Sequence, residues 1–259
     1  TSQAAGVVEG IEAGTSLFLI DEDTSATNFM VRDEFMQEVI RREKEPITPF
    51  LERAGDLYEK AGISTILVAG SSGAFFYIAH KILQMDCYRP VDITERVKKL
   101  CREYKAPRTQ APGFFLPEFQ MPLVFHNAEK NNRDRGISRR GNERGGRYGR
   151  GGQENGSVRE RKKIKTLGKD QFSIDRETVD LRYAEQLADG EQTAALAYLL
   201  RFALEQGKEG EKTMRQTVEL LWKTLETRGW EPFCSSYVPC GLAKPRKQEI
   251  FACLNRYRG

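Results

Sequence analysis

Short apolar runs alternate with amphipathic stretches over the first hundred residues, and the last eighty read as helix. Leu17-Phe18-Leu19-Ile20 is an unbroken apolar run, the pattern of a parallel-sheet strand buried on both faces. Thr65 to Ala69 repeats it, and Ile82 to Asp86 gives a third strand. Helical periodicity fills the gaps. Thr1-Ser2-Gln3-Ala4-Ala5 opens a helix carrying Val7, Val8 and Ile11 and closed by Gly14. A second helix runs from Asn28 to about Glu43, and Pro49 starts a third that reaches Lys60 with Leu51, Ala54, Leu57 and Tyr58 on one face. A short helix from Phe75 to His80 and another from Thr94 to about Tyr104 follow. Strand–helices–strand–helix–strand predicts a mainly parallel α/β sheet.

From Asp175 onward the period is helical. Leu196, Leu199, Leu200, Ala203 and Leu204 share one face, and Met214, Val218, Leu221 and Leu225 share another beside Trp222. Pro245 suits a first helical turn ahead of Ile250, Phe251 and Leu254. Core packing accounts for all of these, and none is assigned chemistry. His80 and His126 are likewise read as structural.

The middle differs. Residues 106–126 carry Pro107, Pro112, Phe114, Phe115, Pro117, Phe119, Pro122 and Phe125, read as an extended strap over the α/β domain, with a short exposed motif as the alternative. Residues 130–165 then turn to arginine and glycine, with 13 bases against 4 acids. The predicted organisation is an α/β domain at 1–105, a strap and basic flexible linker at 106–165, and a mostly helical domain at 166–259.

Net charge is only +4, yet residues 1–60 hold 13 acids against 6 bases, an asymmetry that suggests separate jobs for the two regions. Five cysteines without a C-x-x-C pair argue against a zinc site and fit a reducing, intracellular compartment. Neither a secretory leader nor an apolar span of membrane length is present, so no membrane association is expected. Thr1 opens in mid-domain fashion. The chain is therefore read as a fragment whose N-terminal half, with the phosphate-binding loop, is missing.

Candidate chemistry concentrates after the first strand, at Asp21-Glu22-Asp23-Thr24-Ser25. Acids at the carboxyl end of a parallel strand sit where α/β proteins place ligands. This is the arrangement of a Walker B element, with Asp21 for Mg²⁺ and Glu22 for the attacking water; the alternative is a buried strand followed by an acidic loop. Gly70-Ser71-Ser72-Gly73 ends the second strand and permits a tight turn or a close approach to a ligand. The sequence has no G-x-x-x-x-G-K-[ST] element, and Gly207 to Thr213 misses the spacing. A hydroxyl pair ahead of a helix, as at Thr1 and Ser2, caps it or binds phosphate.

Taken together, several segments resemble the predicted ATPases of the ABC class: Thr1 to Ala5, Leu19 to Met30, Lys44 to Phe50, Ser64 to Gly73, Met85-Asp86, Tyr88-Arg89-Pro90, Val179-Asp180-Leu181, Glu185-Gln186-Leu187 and Pro245 to Ile250. The resemblance extends to ABC-ATPase-fold RNA-binding factors of kinetoplastid mitochondrial RNA editing. It implies that Thr1, Ser2 and Gln3 are the tail of the signature motif, facing the γ-phosphate of nucleotide held by a partner subunit, so that a homodimer shares each site. Asp21 becomes the residue associated with Mg²⁺ and Glu22 the catalytic base. Asp23 to Asn28 stand at the dimer-contacting D-loop, with Ser25 and Thr27 facing nucleotide. Ser71 falls near the usual switch histidine, so the switch is altered, and Ala74, Tyr77 and His80 stand where family members often carry aspartates. The cofactors implied are ATP and Mg²⁺, and the location is mitochondrial if the RNA-editing likeness holds, otherwise cytoplasmic or nuclear.

The Arg-Gly run resembles an RGG tract. Arg139, Arg140, Arg144, Arg147 and Arg150 pair with phosphates and stack on bases, and Tyr148 adds a stacking face. Lys162 and Lys163 belong to a second basic cluster, from Arg159 to Lys165, which serves RNA binding or a nuclear address. Single-stranded RNA is the expected partner; a solvated linker is the alternative. The function expected is an ABC-class ATPase that handles RNA, against a non-catalytic RNA-binding scaffold on a degenerate ATPase fold.

Overall fold

The computed structural model describes residues 2–40, 42–45, 47–108, 111–116, 123, 162–184, 187–206 and 212–257. By contact the chain divides into two units, residues 1–119 and 120–259. Thr1, the Arg-Gly run, Phe119, Phe125, His126, Glu185, Gln186 and residues 207–211 lie outside the described residues.

In the first unit, α1 (Ser2–Glu12) leads through Gly14, at φ 77°, into β1 (Leu17–Asp21). The acid-and-hydroxyl loop passes into α2 (Thr27–Met30), α3 (Glu34–Val39) and a 3₁₀ turn at Arg42–Lys44, then α4 (Leu51–Ala61) and β2 (Ser64–Val68). Gly62, at φ 67°, ends α4 by donating its amide to the carbonyls of Leu57 and Tyr58, a left-handed cap that glycine adopts without strain. β1 and β2 pair in parallel, from Leu17 opposite Ser64 to Asp21 opposite Val68. A 3₁₀ turn (Gly73–Tyr77), β3 (Leu83–Asp86), β4 (Arg89–Asp92) and α5 (Thr94–Glu103) complete the unit.

Three expectations are corrected here. The long helix after Asn28 is broken into α2, α3 and a 3₁₀ turn, with the Asp33 carboxylate accepting the Met36 amide to restart it. The third strand does not join the parallel pair. β3 pairs antiparallel with β4 as a hairpin, through a two-residue turn of Cys87 (φ 47°) and Tyr88 (φ 64°). That turn carries no glycine or asparagine, and Pro90 within β4 disguises the strand. Nor are β1 and β2 buried on both faces. Phe18, Ile20 and Leu67 pack inward on Phe29, Met30, Phe50, Leu57 and Phe75, while Leu19 and Val68 on the other face are 73% and 63% exposed.

Phe114 of the strap segment packs against this core, with the Arg53 guanidinium 5.8 Å from its ring centre. Phe115 beside it is exposed. His80 packs against Tyr58 with the rings tilted, 4.6 Å between ring centres.

The described part of the second unit contains a sheet that helical periodicity alone did not reveal. β5 (Ile164–Thr166), β6 (Gln171–Ile174) and β7 (Glu177–Asp180) form an antiparallel meander, turned tightly at Asp175 (φ 53°). So the end of the chain is not simply helical: α6 (Gly190–Gln206), α7 (Met214–Arg228) and α8 (Lys247–Arg256) pack with a small sheet. Leu196, Leu199, Leu200, Ala203, Val218, Leu221, Leu225, Ile250, Phe251 and Leu254 are buried with Phe172, Ile174 and Val179. Leu204 and Met214 are only half-buried. Arg201, buried in α6, donates to the carbonyl of Phe233 at 2.9 Å. Pro245 precedes the cap residue of α8, Arg246, rather than standing in its first turn.

Candidate nucleotide site at the end of the parallel pair

Parallel pairing sets the site. Register carries Asp21 to the end of β1 opposite Val68, and the Glu22 amide donates to the Val68 carbonyl at 2.9 Å, extending the ladder by one bond. Beyond it the two chains part, β1 into the acidic loop and β2 into the Gly70-Ser71-Ser72 turn. Side chains at this junction meet polar backbone from both.

Glu22 turns toward the β2 side. Its Oε1 accepts the Ser71 hydroxyl at 3.0 Å, and its Oε2 accepts the amides of Ser71 and Ser72, each at 3.3 Å. Partial desolvation works against ionisation. The Ser71 amide and hydroxyl and the amides of Ser72 and Gly70 outweigh it, holding the carboxyl below the usual glutamate range. Ser72 also accepts the Ala74 amide through its hydroxyl, which starts the following 3₁₀ turn.

Asp21 organises its own loop. Its Oδ2 accepts the Thr24 hydroxyl at 2.9 Å, its Oδ1 the Asp23 amide at 3.3 Å, and its carbonyl the Ser25 hydroxyl at 2.6 Å. The exposed carboxylate and the hydroxyls beside it are hard oxygen donors, the set that suits Mg²⁺. Among the described residues no three histidine, cysteine or acidic side chains converge as a metal cage. Mg²⁺ does not need one, because it keeps water and takes one or two carboxylates alongside substrate phosphates.

Two further contacts close the site. The Gln3 side-chain oxygen accepts the Ala26 amide at 2.7 Å, so the start of α1 is tied to the loop just before Thr27. The Asp23 carboxylate lies against Gly70: a methyl group there would meet Asp23 Oδ2 at 2.8 Å. Gln3, Asp21, Glu22, Ser25 and Ser71 are thus gathered at one end of the sheet, with Thr27 next to the tied Ala26. Ser2, exposed, opens the helix that carries Gln3, and Thr1 lies outside the described residues. Asp23, Thr24, Gly70 and Ser72 did not stand out singly in sequence. The glycine ahead of paired serines was the available signal.

The basic candidates divide. Arg139, Arg140, Arg144, Arg147 and Arg150 lie outside the described residues. Lys162 pairs with Asp175 at 3.5 Å, and the Lys163 amide donates to the same carboxylate at 2.7 Å while its side chain stays exposed. Both border β5, so the linker expected to run to residue 165 gives way to strand at Ile164. Among the described residues no helix is long and apolar enough to cross a membrane.

Comparison with known proteins agrees with the resemblance read from the sequence. Residues 1–121 match the ABC_ATPase family model, described as a P-loop domain, and residues 163–259 match the model of the MRB1590 C-terminal domain. No curated protein matches the chain.

Proposed function

We propose that this chain, in which an ABC_ATPase P-loop segment precedes an MRB1590-type C-terminal domain, supplies the acidic and signature side of an ATP site shared across a homodimer and also binds single-stranded RNA. The observation that carries the first part is the placement of Asp21 and Glu22 at the carboxyl end of a parallel strand, with Gln3 and Ser71 beside them.

Mg²⁺ would be held at Asp21, where it would neutralise phosphate charge. Thr24 and the Asp23 amide fix that carboxylate's orientation. Glu22 is the general base: the Ser71 hydroxyl and the amides of Ser71, Ser72 and Gly70 hold it ionised, and Oε1, which accepts the Ser71 hydroxyl, keeps a lone pair for a water proton. Ser71, in place of a histidine, orients Glu22 by hydrogen bonding. Thr1, Ser2 and Gln3 face the γ-phosphate of nucleotide bound mainly by the partner copy, and Ser25 and Thr27 line the same approach. Phosphoryl transfer asks little covalent chemistry of the protein, so this positioning is its contribution. The five arginines of the RG run, with Lys162 and Lys163, hold the RNA. We place the protein in the mitochondrion, following the RNA-editing resemblance.

A scaffold without turnover is the second reading. The lowered Glu22 basicity and the serine at the switch position favour it. ATP turnover in the full-length protein, with and without oligouridine, separates the two. The ATPase reading expects Glu22→Gln to cut turnover by about a hundredfold or more while nucleotide binding is kept. Equal turnover in both proteins refutes the base assignment, and RNA binding with no turnover in either leaves the scaffold.

A further inference from the structure

The meander of the second unit has two unlike faces. Phe172, Ile174 and Val179 are buried on one. On the other, the register sets Lys165 beside Ser173 and Ser173 beside Thr178, one row across all three strands. Lys163, two residues before Lys165, extends the same face to the β6–β7 turn, where Arg176 is exposed.

Two acids at the ends of this face are engaged. Asp175 accepts the Lys163 amide and pairs with Lys162. Asp180 is gripped by Arg182 at the opposite end, through Nε and a terminal nitrogen at 2.6 Å. Glu177 pairs in register with Ile174 and is half-buried. Lys163, Lys165 and Arg176 are left as exposed cations, beside two hydroxyls able to donate to phosphate. The charge is also continuous in sequence with Arg159, Arg161 and Lys162.

We propose that this outer sheet face is a landing surface for the backbone of single-stranded RNA, with Lys163, Lys165 and Arg176 on phosphates and Ser173 and Thr178 donating between them. It rests on the reading of the chain as RNA-binding and adds a folded surface to the arginine–glycine run. A row of cations and hydroxyls, with no aromatic side chain among the five residues, reads backbone rather than base, so little sequence preference is expected.

The test is binding of fluorescein-labelled 20-nucleotide oligouridine to the whole chain across a salt series. The variant is Lys163→Gln, Lys165→Gln, Arg176→Gln; the control removes three exposed cations elsewhere, Lys99→Gln, Arg102→Gln, Lys223→Gln. Loss of three contacts should weaken binding at least tenfold near 0.1 M salt and reduce the slope of log affinity against log salt by about two, each single-strand phosphate contact being worth about 0.7. The control should move less than twofold. All six side chains are exposed, so the urea midpoint reports intact folding in both proteins. If the sheet variant behaves like the control, the landing surface is refuted. If instead the five-arginine variant of the RG run alone abolishes binding, the inference falls and the RNA reading stands. If the unaltered chain does not bind oligouridine, both fall. Competition by polyglutamate as strong as by unlabelled oligouridine, at equal charge, overturns the RNA assignment in favour of an acidic protein partner.

Discussion

Ser71 holds Glu22 twice, through its hydroxyl to one carboxylate oxygen and its amide to the other. The serine is 49 residues downstream, yet parallel pairing of β1 and β2 brings the two to the same sheet end. The hydroxyl bond is the part a mutation can remove. Ser71→Ala deletes one of the donors that lower the Glu22 pKa, so that pKa should rise toward the ordinary glutamate value. Because it is lowered in the folded state, Glu22 contributes stability above its unfolded pKa that is lost as pH falls through the folded one. The variant should lose that contribution at a higher pH. Carbon-13 titration of labelled glutamate carboxyls in the whole chain reads it directly, and an unmoved Glu22 titration would refute the contact.

Glycines in the helices of the first unit make a paired prediction. At Gly55 in α4 a methyl group meets nothing within 4 Å, so Gly55→Ala should stabilise by about 0.5–1 kcal/mol through reduced backbone entropy. Gly10 in α1 has the same propensity to gain, but a methyl there sits 2.8 Å from the Phe18 ring, which packs on the core. Displacing that ring should reverse the sign, with a loss of about 1 kcal/mol or more. Urea unfolding followed by circular dichroism compares the two. Both substitutions stabilising would mean that the ring moves freely.

These helices and their apolar faces were legible in sequence because amphipathic spacing is local. So were the two parallel strands and the acids at the end of the first. The breaks were less so: α2 and α3 part at Arg32 and Asp33, where a side-chain cap restarts the helix without any proline to announce it. The β3–β4 hairpin escaped because its turn uses Cys87 and Tyr88 and its second strand contains Pro90. The meander at 164–180 escaped for another reason: β5, of three residues, emerges from a basic run whose composition points away from structure. Of the candidate site, the acids could be read directly. The turn at Gly70 to Gly73 and the switch position of Ser71 could be read as well, but not their contacts, because Ser71, Ser72 and Gly70 reach Glu22 and Asp23 only through pairing across more than forty residues.

Cysteine reactivity should follow burial. Cys87 and Cys240 are exposed, Cys101 is half-buried, and Cys234 and Cys253 are buried. Burial pushes the Cys253 thiol well above its usual range, so it stays protonated and unreactive at neutral pH. Iodoacetamide should label Cys87 and Cys240 first, Cys101 more slowly, and Cys234 and Cys253 only in denaturant. Mass spectrometry of a time course checks the order, and early labelling of Cys253 would contradict the packing of α8.

Glu249, on α8, is the buried acid among the described residues of the second unit, 1% exposed. Its carboxylate accepts the Arg246 amide at 2.8 Å, two guanidinium nitrogens of Arg246 at 2.9 and 2.7 Å, and the Gln192 side-chain amide of α6 at 3.5 Å. It therefore caps its own helix and links it to the neighbouring one. Glu249→Ala removes the cap and leaves a cavity, while Arg246, largely in solvent, is not stranded as a buried charge. The cost should be about 2–3 kcal/mol, more than a surface cap alone and less than the break-up of a fully buried ion pair. Glu249→Gln keeps the shape and one acceptor oxygen, so it should cost about half as much. Trp222 and Trp230, the only tryptophans, both lie in this unit, so their fluorescence in urea follows its unfolding without interference from the first. A Glu249→Ala midpoint unchanged from the parent would mean that water replaces the carboxylate at no cost, and that the helix junction rests on Ile250, Phe251 and Leu254 alone.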